Sequence, residues 1–161
     1  MADCETRHPH LRQPVRPGPR QAVLLDLRLL QQLLLISLTL FHLVGPVPPE
    51  LGVHQGALAA CPSPAHCARA DWAFADPQTA LAAPTPVVQA MPRTAVEQAE
   101  GNYLHATASS ALFGFVDDLE LYADTRSGVL QARSVSRLGD SDLGVNRRRL
   151  ETLRQALADL S

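Results

Sequence analysis

Hydrophobic and polar positions alternate with period two from Thr94 to Arg137, then take up helical spacing. Thr94–Ala99 reads as a strand, and Glu100-Gly101-Asn102 as a turn. Tyr103–Ser109 is a second strand, with Tyr103, His105 and Thr107 on one face and Leu104, Ala106 and Ala108 on the other. Phe115–Ala123 is a third and Val129–Arg137 a fourth, joined through Asp124-Thr125-Arg126-Ser127-Gly128, a hairpin loop with glycine where positive φ is needed. From about Asn146, Leu150, Leu153, Leu157 and Leu160 form the apolar stripe of a helix that should lie on the sheet. Upstream, Asp76-Pro77 is a helix start, with Asp to cap and Pro at the first helical position. Pro84 and Pro86 then interrupt that helix, Thr85-Pro86 can restart a second turn through VVQAM, and the broken or kinked helix ends near Met91-Pro92. The expected fold is α+β: a four-stranded antiparallel meander, with the C-terminal helix and a broken central helix packed on one face.

The N-terminal third follows neither period. Residues 1–21 are polar and Arg-rich, and read as a disordered tail. Residues 22–44 are apolar, but Asp26, Arg28, Gln31 and Gln32 interrupt the first half, leaving only the twelve residues Leu33–Val44 clean. A membrane-spanning helix needs about 20 apolar residues and a signal h-region about 7–15. The run therefore reads as a signal peptide or signal anchor, the alternative being a buried amphipathic helix. Five Arg lie in the first 28 residues and none between Val44 and Arg69. The positive-inside rule then leaves the N-terminus cytoplasmic, if uncleaved, and the rest extracytoplasmic, in the periplasm or on the outer face of the inner membrane. Residues 45–60, rich in Pro and Gly, read as an extended linker to an α+β domain over 61–161. Leu58-Ala59-Ala60-Cys61 resembles a lipoprotein box, but three prolines separate it from the apolar run.

Composition narrows the function more than it identifies it. The net charge of −2 gives no global attraction for nucleic acid, and all 14 cationic Lys/Arg positions are Arg. No Walker-type loop, heptad array or paired CxxC motif occurs. Cys61 and Cys67 bracket PSPAH, a spacing suited to a disulfide in an exported chain. Free thiols are one alternative, and a zinc site adding His66 and His54 is another. No cofactor is implied.

Candidate chemistry gathers near the C-terminus. Arg133–Arg149 holds five Arg, two Asp, two Gly and one Asn in seventeen residues. On the third strand Asp118 and Glu120 share a face, with Asp117 beside them. A hairpin folded about Thr125-Arg126 would set Asp118 opposite Arg133, and Glu120 opposite Gln131 or Ala132. Asn146, or Asp142, is suited to cap the last helix, with Arg137 and Arg147 flanking the cap and facing Asp140 and Asp142. These residues make either a paired charge network or an acid/base cluster with an Arg anion clamp. The first describes a non-catalytic binding or structural module of the cell envelope, with an unknown ligand or envelope partner and a membrane contact through Leu33–Val44. The second describes a small hydrolase using Asp117, Asp118 or Glu120.

FGFVDDLEL and RSVSRLGDSDLGVNRRR together resemble the bacterial and plastid family of unknown function DUF1499, with its VDD-x-E strand, V-R-S-x-S-R hairpin strand and S-D-L-G-V-N-R-x-R helix start. LGVHQGALAACPSPAHC matches that family's front signature. His66 stands where Asn is usual, and Ala68-Arg69-Ala70 where Val-Ser-Ser is usual. The segment from Cys67 to Asp76 is also shorter than usual. The resemblance, over Leu51–Leu160, implies a small α+β domain behind an N-terminal membrane segment. It implies no activity and no catalytic residues.

Overall fold

The computed structural model describes residues 19–158, without the side chains of 19–25 and 38–43. The expected tail lies almost wholly outside that range, as does Cys4. The chain divides into two units at Leu38 and Thr39. A helix, α1, covers Pro19–Val44. Leu27, Leu29, Leu30, Leu33 and Leu34 on it are more than half exposed. Among the described residues, no helix is long and apolar enough to cross a membrane.

The second unit is built on five strands, not four: β1 (Cys67–Ala73), β2 (Thr94–Glu100), β3 (Tyr103–Ser109), β4 (Val116–Asp124) and β5 (Val129–Ser136). All pairs are antiparallel, in the order β1-β5-β4-β3-β2. The meander β2–β5 is the one expected from the alternation. The added strand, β1, has the sequence CARADWA, in which Ala is a poor strand former and the apolar face, Ala68, Ala70 and Trp72, is short and carries only one large side chain. Its partner, β5, lies far along the chain, with Arg69 opposite Arg133.

Helices α2 (Pro77–Ala82), α3 (Pro84–Ala90) and α4 (Val145–Ala156) complete the unit. Asp76 caps α2 by accepting from the amides of Gln78 and Thr79, and Pro77 follows at the first helical position. Pro84 divides α2 from α3, because it has no amide to continue the ladder. Leu81, Val88, Leu150 and Leu153 from the helices, with Leu157 at the C-terminal cap of α4, meet Leu104, Leu119, Leu121 and Leu130 from the sheet in one core.

The hairpin β4–β5 closes over four residues. Asp124 opposes Val129, its carboxylate accepts from the amides of Arg126 and Ser127, and Gly128 takes φ +70°. The turn is thus centred one residue later than Thr125-Arg126, which slides every cross-strand partner by two. Glu120, not Asp118, opposes Arg133, and Asp118 opposes Val135.

The second face of the sheet carries the other parity of each strand, and it is polar. Residues 45–60, expected as an extended linker, form no helix or strand beyond a single bridge between His54 and Ala57. They are nevertheless fixed across this face by hydrogen bonds to its side chains. Buried polar groups on the sheet need partners, and backbone amides and carbonyls without a ladder of their own supply them. Cys61 and Cys67 are joined as a disulfide, which ties the end of this strap to the start of β1.

Candidate functional site

Three polar regions can be built from these elements. The first lies between the strap and the sheet. Glu120 is fully buried, and its two oxygens have three donors: the Gly52 amide at 2.7 Å, the Tyr103 hydroxyl at 2.8 Å and the Arg133 guanidinium at 2.9 Å. Arg133, also fully buried, reaches Glu50 of the strap at 3.0 Å with its other terminal nitrogen. Its Nε has no partner among the described residues. Burial, then the bond to Glu120 and that carboxylate's charge, push the Tyr103 phenol far above its ordinary range. Gln131 continues the network, accepting from the Leu58 amide at 2.9 Å and from Arg69 at 3.0 Å.

Asp118 sits beside this group with zero exposure. Arg137 grips both its oxygens, each at 2.8 Å, and His105 Nε2 shares a hydrogen bond with it at 2.8 Å. Burial pushes the Asp118 carboxyl up, but the bonds and charges of Arg137 and His105 outweigh it and hold the group below its ordinary value of 3.8. A depressed folded value means that this carboxylate stabilises the fold above its unfolded value. That contribution is lost as pH falls below 3.8 and through the depressed value. In acid titrations followed by circular dichroism, the stability of Asp118→Asn should therefore depend less on pH below about 5 than that of the parent chain.

The second region lies on the opposite face, where α4 begins. Asp117 accepts from Arg149 at 2.8 Å and from Ser136 at 2.6 Å. Asn146 is not the cap of α4; it lies inside the first turn and is fully buried. Its Oδ1 accepts from Ser134 and Arg149, both at 2.6 Å, and its Nδ2 donates to the His66 carbonyl and to Ser136. Gly144 occupies the cap position, and Asp142 does the capping from two residues upstream, accepting at 2.8 Å from the amides of Gly144 and Asn146. Burial raises the Asp142 carboxyl, but those amides prevail and its value is lowered. Asp142→Ala should cost about 1 kcal/mol in urea unfolding, the usual loss for a helix cap. The expected arrangement of Arg137 and Arg147 around Asp140 and Asp142 does not form. Arg137 is bound to Asp118 on the other face, while Asp140 and Arg147 are exposed and join no ion pair among the described residues.

Arg149, Ser134, Ser136, Glu50 and Gly52 are members of these networks that the pattern of charges did not single out. Alternation had already set Tyr103 and His105 on one face of their strand, and it becomes informative once β3 is paired to β4 with His105 opposite Glu120.

The third region is a cleft of about 810 Å³ between β1 and α4. Ala68, Ala70 and Trp72 line it from the sheet, Arg147, Arg148 and Leu150 from the helix, and the Cys61–Cys67 disulfide from one end. Asp117, Asp118 and Glu120 take no part in it.

Among the described residues, no group of three or more His, Cys, Asp and Glu side chains is placed to hold a metal ion. A zinc site on Cys61, Cys67, His54 and His66 is overturned by the disulfide, which consumes both thiolates. His54 instead bonds the Leu51 carbonyl at 3.1 Å.

No curated protein and no solved structure matches the chain. A family model described as "Protein of unknown function (DUF1499)" matches residues 49–157. That match takes in the strap from residue 49 onward, all five strands and α4, so the buried networks and the cleft are both built from its residues; the chain belongs to the DUF1499 family.

Proposed function

We propose that this protein is a non-catalytic binding module of the cell envelope, exported or tethered through the Leu33–Val44 stretch, with the cleft between β1 and α4 as its binding surface. One observation carries the choice over a hydrolase. Asp117, Asp118 and Glu120 are each held by an Arg and by at least one further donor. A general acid or base needs a carboxyl that can reach a substrate proton. These carboxylates spend their oxygens on the fold, and the cleft between β1 and α4 is lined by other residues.

Two features support the envelope location. A disulfide persists in oxidising compartments. The exposed leucines of α1 suit a helix that passes into an apolar environment. The test is a reporter that is active only outside the cytoplasm, fused after Ser161. It should be active in cells. An inactive reporter, with the protein in the soluble cytoplasmic fraction, would overturn export. For the binding surface, a thermal-shift ligand screen on the full chain should yield hits that are lost in the double variant Arg147→Ala/Arg148→Ala. Hits that persist in that variant would place the binding surface away from the cleft.

A further inference from the structure

We infer that the cleft takes an extended acidic peptide, which adds to the sheet as a sixth strand along β1 beneath α4. This rests on the cleft being the binding surface. The first observation is the open edge of β1. In an antiparallel pair, residues that exchange hydrogen bonds alternate with residues that do not. The Phe74 amide donates to Gly128, and the Ser136 amide to His66, so the even-numbered residues of β1 are those bonded to β5. Arg69, Asp71 and Ala73 therefore turn their amides and carbonyls outward. Among the described residues, no backbone hydrogen bond is made to them.

The second observation is the room beside that edge. Ala68 and Ala70 face α4 with short side chains and are only half-buried, and Trp72 continues the same apolar row. Larger residues there would fill the space; with Ala it remains a cleft of about 810 Å³. A strand laid along the edge would send every second side chain into that space.

The third observation is charge. Arg69, Arg147, Arg148 and Arg154 line the cleft against Asp142 and Glu151. Asp142 is engaged by the amides of α4, and Glu151 by Arg154. Arg147 and Arg148 are exposed and meet no carboxylate among the described residues. They also stand in the first turn of α4, where the helix dipole adds to their positive field. Arg148 donates to the Leu143 carbonyl at 3.0 Å, which leaves its charge without a counter-ion. The occupant that matches an open strand edge, an apolar floor and Arg side chains that meet no carboxylate is a β-forming segment with Asp or Glu among its side chains.

The test uses the full chain, purified in mild detergent, to select from a phage-displayed library of random octapeptides. The winning peptide is then resynthesised for fluorescence polarisation. Selected sequences should be rich in Asp and Glu at alternate positions. N-methylation of alternate amides in one of the two registers should abolish binding, because it removes the donors to the β1 edge. Arg147→Ala/Arg148→Ala, on an exposed surface that leaves folding intact, should weaken binding about tenfold, and added salt should do likewise. Ala70→Leu should block binding by filling the cleft, with a melting curve to show that the variant is folded. If no peptide is enriched, strand addition is wrong. If acidic peptides depend on Arg147 and Arg148 but tolerate N-methylation in both registers, the cleft binds ligand without adding a strand, and only the present inference falls. If binding ignores both the Arg pair and Ala70, the cleft is not the surface, and the reading beneath it falls too.

Discussion

Arg133→Gln should destabilise the protein more than any other single polar change, by about 3–5 kcal/mol in urea unfolding. The guanidinium is fully buried between Glu120 and Glu50, and Glu120 is itself fully buried. Removing the cation leaves Glu120 with two neutral donors, the Gly52 amide and the Tyr103 hydroxyl, and no opposite charge. A buried carboxylate in that condition must either bear its desolvation cost or take up a proton. Arg133→Lys should recover only part of the loss, since one ammonium cannot present the two-pronged donor that spans both carboxylates. The double variant Glu120→Gln/Arg133→Gln should cost less than the sum of its two parts by more than 1 kcal/mol. Strict additivity would show that the pair is not coupled in solution. Another buried charge pair on this face is Asp118 with Arg137, which a separate cycle should resolve in the same way.

Asn146→Ala should cost about 3 kcal/mol, because it strands several buried groups at once. The amide side chain bonds Ser134, Ser136, Arg149 and the His66 carbonyl, and so joins α4, β5 and the residue before β1. Asn146→Asp keeps the acceptor but loses the donors to Ser136 and His66, and should fail to restore stability. Asp140→Ala is the natural control: its side chain is exposed, and its stability should stay within about 0.5 kcal/mol of the parent. Thermal unfolding of the three variants, compared at one pH, checks the order. A neutral Asn146→Ala would mean that water replaces those contacts at no cost.

These two effects arise where local pattern stopped being informative. Period-two alternation located the strands from Thr94 onward, because a sheet face repeats every second residue wherever the strand pairs. Pro84 broke the central helix as expected, since a missing amide acts on its own turn. The nearness of Cys61 and Cys67 in the chain was enough to suggest their bond. In each case the physics is confined to a few neighbouring residues.

Partners were another matter. One residue of shift in the centre of the β4–β5 turn exchanged Asp118 for Glu120 opposite Arg133, and the turn's own hydrogen bonds to Asp124 decided it. Asn146 carries the composition of a helix cap, yet the αL backbone of Gly144 and the reach of Asp142 moved it inside the helix as a buried tie. The strap of residues 45–60 has no periodicity, because its hydrogen bonds go to side chains rather than to a ladder. β1 became a strand only because the open edge of β5 was there to pair with it. Chain order settles which residues can alternate, turn or cap. Which buried donor meets which buried acceptor is settled only when distant segments close over one another, since each such group must find its partner after water has been excluded.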